Sequence, residues 1–122
     1  MATRIARLTV SVEDLPRALA LYRDALGLHE LSTIDGLAML TTDRDAPPGT
    51  ATEVLLHQRT PTPGDAGVAA SFAVTDVDAA TIAAVAAGAA VVDEPADQVW
   101  GERQSVLRDT DGHILCLVSP LR

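Results

Sequence analysis

The chain has 122 residues, is 48% hydrophobic, and carries 17 acidic against 9 basic side chains, a formal charge of −8. That length suits one domain or two small halves that cannot stand alone, and the charge has the wrong sign for a phosphate backbone or an anionic membrane. Tyr22, Phe72 and Trp100 are its only aromatic residues, too few for a base-stacking surface, so the core has to be built from Ala, Val and Leu.

Cys116 is the single cysteine, which excludes an intrachain disulfide framework. No apolar run approaches the length of a membrane span. The N-terminus lacks the apolar stretch of a signal peptide, and cytoplasm is the expected compartment.

Residues 4–12 alternate as a half-buried strand does. Leu8, Val10 and Val12 point one way and Arg7, Thr9 and Ser11 the other. Asp14 is placed to cap a helix, and Pro16 is tolerated in its first turn because its missing N–H has no partner to lose. Leu15, Leu19, Tyr22 and Leu26 recur at helical spacing and Gly27 suits a left-handed stop, predicting a helix over 15–26. Strands follow at about 28–33 and 37–41, joined at Asp35-Gly36. Residues 42–50, rich in Asp, Pro and Gly, form a loop. Residues 52–58 form a strand with Glu53, Leu55 and His57 on one face.

The second half repeats this order. Residues 69–74 predict a strand, and Asp76 caps a helix over 77–87 that Gly88 stops. Val77, Thr81, Val85 and the alanines give that helix a thin apolar stripe. A short strand at 89–92, a loop at 93–101 with Pro95 and Trp100, a strand at 103–109, the turn Asp109-Thr110-Asp111-Gly112 and a strand at 113–119 complete it.

The halves are near-copies at their starts. Ala6–Leu15 and Val68–Val77 align with Val12 on Val74, Asp14 on Asp76 and Leu15 on Val77, always 62 residues apart. The expectation is an α+β domain of two βαβββ modules, residues 1–58 and 69–122, joined by a Pro- and Gly-rich linker at 59–68. One module leaves a sheet face uncovered, and two copies can set such faces toward each other to make a cleft.

This order resembles the vicinal oxygen chelate superfamily of glyoxalases, bleomycin-resistance proteins and extradiol dioxygenases. The likeness is carried by Val-Glu-Asp-Leu-Pro-Arg-Ala-Leu-Ala-Leu-Tyr-Arg-Asp-Ala-Leu-Gly at 12–27, Val-Thr-Asp-Val at 74–77 and Arg-Asp-Thr-Asp-Gly-His-Ile-Leu at 108–115. It is specific for fold and weak for function, since one fold hosts many chemistries. Enzymes of that group commonly hold a divalent ion with one residue from each of four strands, typically His, Glu, His and Glu, leaving open positions for substrate oxygens.

Carried over by position, the resemblance puts the first ligand at Arg7, seven residues before Asp14. The third falls at Ala69, seven before Asp76, and the fourth at Cys116, four after Gly112. The second lies on the 52–58 strand, best matched by Leu55, with Glu53 and His57 flanking it. Arg7 repels a cation and Ala69 has no donor atom. The expectation is therefore no metal and no cofactor, and a binding protein of the bleomycin-resistance kind rather than a metal enzyme. The resemblance also implies a homodimer.

The candidate ligand contacts are Arg7, Thr9, Leu55, His57, Ser71, Trp100, Arg103 and Cys116, binding an apolar or aromatic small molecule. Each has a plainer reading. Arg7 either clamps an anionic or carbonyl group or pairs with an acid such as Glu53. Trp100 is either an aromatic wall or a filler of the core or a dimer interface. Arg103 is either a polar contact or a solvated strand-edge charge. His57 is either a general base or an exposed strand-end histidine, while His29 and His113 read as surface residues. Cys116 reads as an inert thiol. The rival to binding is an enzyme, a lyase, isomerase or dioxygenase with a non-standard or metal-free site. A second rival is a structural subunit without a ligand.

Overall fold

The computed structural model describes residues 4–47, 49–64 and 68–121. Part of the expected linker, Gly67 included, lies outside that range. The chain divides into two compact units, Met1–Pro61 and Thr62–Arg122.

The first unit opens with β1 (Arg7–Val12). The Asp14 carboxylate accepts from the Arg17 amide at 3.1 Å, so the helix start is capped as its sequence suggests. A tertiary contact completes the cap: the Leu15 amide donates to Gln58 Oε1 at 2.8 Å. Helix α1 (Leu15–Leu19) then runs into a π-helical segment, Ala20–Ala25. Leu26 N–H reaches Leu21 O and Leu28 N–H reaches Tyr22 O, each passing over its ordinary α-helical acceptor. The wider turn changes which side chains face inward. Leu21 and Tyr22 are both buried, and Leu26, which α-periodicity places inside, is only half-buried.

Strands β2 (His29–Ile34), β3 (Leu37–Thr41) and β4 (Glu53–Gln58) follow, and the sheet order is β1-β4-β3-β2. β1 lies parallel to β4, and the other pairs are antiparallel. The helix covers one face. Val12, Leu15, Leu19, Leu21, Leu40, Val54 and Leu56 form the core there, as the alternation of β1 requires.

The second unit repeats the plan with β5 (Ala70–Ala73), α2 (Val77–Ala86), β6 (Ala90–Asp97), β7 (Glu102–Arg108) and β8 (Ile114–Pro120), in sheet order β5-β8-β7-β6. Asp76 caps α2 by accepting from the Ala79 amide at 3.0 Å. The buried stripe of α2 is Val77, Thr81 and Ala84, packed over Ser105, Leu107, Leu115 and Leu117. Val85, expected in that stripe, is 45% exposed. Gly88 ends the helix at φ +108°, where a Cβ would stand 2.7 Å from Thr110 Cγ2.

β6 is longer than its sequence suggests. It runs through Pro95 to Asp97, where a loop was expected. Pro95 is tolerated because β6 is an edge strand with irregular pairing at Asp93 and Ala96, where a missing donor breaks no ladder.

Each unit is thus a four-stranded mixed sheet with a helix on one face, and the chain is α+β with two βαβββ modules.

Candidate functional site

Strand register shows what the uncovered face of the first sheet carries. Residues level across the strands share a face, giving three rows: Arg7, Glu53, Thr41 and His29; Thr9, Leu55, Met39 and Ser32; Ser11, His57, Leu37 and Ile34. Four of the expected contacts, Arg7, Thr9, Leu55 and His57, therefore lie on one open face. A depression of about 230 Å³ lies on this face, lined by Arg7, Ser32, Ile34, Leu37, Met39 and Leu55. Its walls are mostly apolar, with one cation and one hydroxyl.

Arg7 is exposed, and among the described residues its guanidinium has no hydrogen bond or ion pair. The expected alternative, a salt bridge to Glu53, does not form, although the two are register neighbours. Glu53 instead borders a second hollow of about 290 Å³, where the 42–52 loop covers Thr41. His57 is half-buried, and no orienting acid meets its ring among the described residues.

Ser32, Ile34, Leu37 and Met39 were missed by sequence reasoning. Leu37 and Met39 share the period-2 phase of β3 and could have been read from their alternation. Ser32 could not, because β2 has an irregularity between Glu30 and Ser32 that resets which side chains face the depression.

In the second unit the uncovered face carries Ser71, Cys116, Val106 and Asp93 in one row. Ser71 is exposed and Cys116 half-buried. Arg103 is elsewhere. It shares the phase of Ser105 and Leu107, on the side that α2 covers, and donates to both Asp78 oxygens at 2.9 and 3.0 Å and to Asp97 at 2.9 Å. These bonds raise the Arg103 pKa above its usual value, Asp78 contributing most, and hold the Asp78 carboxyl below the usual aspartate range. Arg103 is a tether between α2 and the sheet edge, and it is withdrawn as a ligand contact. Trp100 stands in the β6–β7 connection, 60% exposed, its indole N–H donating to Glu102 Oε1 at 2.8 Å. It is not a core filler.

The residues at the family-type metal positions do not suit a metal. Arg7 is a cation, Leu55 and Ala69 offer no side-chain donor, and Cys116 alone is a soft ligand. Among the described residues no three His, Cys, Asp or Glu side chains are grouped to hold an ion. The uncovered face of the first unit can instead offer apolar contact together with hydrogen-bond donors.

A family model, the Glyoxalase/Bleomycin resistance protein/Dioxygenase superfamily, matches residues 4–117. An uncharacterized protein of Mycobacterium bovis is 44% identical over 59 residues, 48% of this chain and 39% of that protein, so the match spans well under half of the relative's length. Among solved structures, a glyoxalase/bleomycin resistance protein/dioxygenase family enzyme from Burkholderia phytofirmans superposes with a TM-score of 0.76 at 17% identity, covering 95% of this chain and 98% of the other. A member of the same superfamily from Sphaerobacter thermophilus gives a TM-score of 0.66 at 26% identity, covering 96% and 97%. The Burkholderia likeness is one of fold alone.

Proposed function

This chain belongs to the glyoxalase/bleomycin resistance protein/dioxygenase superfamily, and within it we propose a metal-free binding protein that holds an apolar or aromatic small molecule on the open face of its first sheet. The observation that carries the reading is the depression over Leu37, Met39 and Leu55, lined also by Arg7, which stands where the resemblance puts the first metal ligand. Apolar walls supply affinity and a few polar groups set orientation. Thr9 and His57 flank the depression on the same face. Ser71, Cys116 and Trp100 remain proposed ligand contacts of the second unit taken by itself, the first two by their place on the open face of its sheet and Trp100 by its exposed ring. Arg103 is not among them.

Apolar contact alone is insufficient. Burying about 100 Å² of ligand surface is worth roughly 2.5 kcal/mol at about 25 cal/mol per Å², against an association cost of at least about 4 kcal/mol. Polar contacts have to supply the remainder.

The test is a thermal-shift screen against antibiotics and aromatic metabolites, with and without divalent ions, beside elemental analysis of protein purified without chelators. Stabilisation by one compound class without ions supports the reading. A stoichiometric transition metal, or stabilisation by ions alone, would overturn it.

His57, on the same open face, favours one rival: a metal-free proton-transfer enzyme. Turnover that His57→Gln abolishes without loss of binding would establish that rival. The protein is further proposed to be cytoplasmic and homodimeric, the latter checked by light scattering on the eluted peak. Among the described residues no helix is long and apolar enough to cross a membrane.

A further inference from the structure

We infer that the ligand of the first unit's open face is a small apolar or aromatic carboxylate, gripped by Arg7. This rests on the binding reading above and names the chemical class that the face selects.

The argument begins with how the chain disposes of its arginines. Arg23 meets Asp24 and Glu30, Arg103 meets Asp78 and Asp97, Arg59 meets Ser11, and Arg108 meets the Gly112 carbonyl. Among the described residues, Arg7 and the loop residue Arg44 are the arginines without such a partner. Among the described residues Arg7 stands unpaired even beside Glu53 in the register. The two side chains border different hollows, Arg7 the sheet depression and Glu53 the loop hollow. Among the described residues no carboxylate lines the depression, and its one other polar side chain is Ser32, whose hydroxyl has no hydrogen bond there.

The depression therefore presents donors and apolar walls, with no acid. A guanidinium offers a planar fork of donors that matches a carboxylate with two parallel hydrogen bonds. A primary amide has one oxygen and cannot complete that fork. An amine is repelled. The remaining walls, Ile34, Leu37, Met39 and Leu55, accept an apolar body and offer it no hydrogen bond. The volume of about 230 Å³ is below the usual ligand-pocket range of about 300–1,000 Å³, so the fit is to a compact acid, or to the acid end of a longer one.

The experiment is a methyl NMR titration of the full chain with benzoate, phenylacetate and hexanoate, each against its primary amide, repeated on Arg7→Met and Arg7→Lys. Arg7 is exposed and makes no bond among the described residues, so both variants should fold, and circular dichroism checks that they do. The carboxylates should shift the Ile34, Leu37, Met39 and Leu55 methyl signals and saturate at concentrations roughly tenfold lower than the amides. Arg7→Met should erase that preference by weakening the carboxylates far more than the amides, and Arg7→Lys should keep part of it. Amides binding as well as acids, or a preference that survives Arg7→Met, would overturn the carboxylate inference while leaving the binding reading standing. No response of these methyls to any of the six compounds would overturn both.

Discussion

Thr81 and Ser105 are buried under α2, 4% and 0% exposed, with their hydroxyl oxygens 2.8 Å apart. Thr81 Oγ1 also lies 2.7 Å from the Val77 carbonyl. Thr81 has one hydroxyl hydrogen, and the carbonyl can only accept, so that hydrogen goes to Val77 O. Ser105 must then donate to Thr81. The two substitutions are consequently unequal. Ser105→Ala removes a donor and leaves Thr81 bonded to Val77, costing about one neutral hydrogen bond, ~1 kcal/mol. Thr81→Val keeps the shape but strands a fully buried serine hydroxyl, costing about 1–3 kcal/mol. In the double variant nothing is stranded, so its cost should fall below the sum of the singles, with a coupling of roughly 1 kcal/mol. Urea unfolding followed by far-ultraviolet circular dichroism reads all four proteins. Strict additivity, or Ser105→Ala costing more than Thr81→Val, would refute the assigned direction of the bond.

The π-helical segment predicts that Leu21→Ala destabilises by about 2–5 kcal/mol and Leu26→Ala by clearly less; the reverse order in urea would restore the α-periodic register. Gly88→Ala should cost roughly 1–3 kcal/mol because φ is +108° there, and adding Thr110→Ser should recover only the steric part of the loss. Asp78 gives a pH dependence. A carboxyl whose folded pKa lies below its unfolded value stabilises the fold above the unfolded value and loses that contribution as pH falls through the folded one. The urea midpoint of Asp78→Asn should thus lie below wild type at pH 6, and the gap should close as pH drops below the ordinary aspartate value of 3.8. A gap independent of pH would remove Arg103 as its cause.

Much of the fold was legible because it rests on local chemistry. Asp14 and Asp76 cap helices wherever an amide ladder begins, and the alternation of Leu8, Val10 and Val12 marks a covered strand face regardless of what covers it. The features that were not legible depend on packing against distant residues. Nothing in Ala-Leu-Tyr announces a π turn, yet the turn is there and Leu21 is fully buried. The Leu15 amide is satisfied by Gln58, 43 residues away. Pro95 argues against a strand in isolation and is harmless only because β6 lies at the sheet edge.

The same division runs through the site. Arg7 and Leu55 could be placed on an open face from alternation, whereas Ser32 required the irregularity in β2. Arg103 was misplaced for an avoidable reason. It sits at even spacing from Ser105 and Leu107, and the latter belongs to the covered face, so period 2 puts Arg103 with them. Arg7 bears a further consequence. A superfamily metal site gathers lone pairs around a cation, and its pocket favours positive charge. At the positions that the resemblance assigns, arginine, leucine and alanine offer a cation no side-chain lone pairs, and the arginine carries a fixed positive charge. Restoring histidine at Arg7 alone would still leave Leu55 and Ala69 without donors. On the open face of the first sheet Arg7 sets a fixed positive charge beside apolar walls, and the proposed ligand, an anion with an apolar body, answers both parts of it.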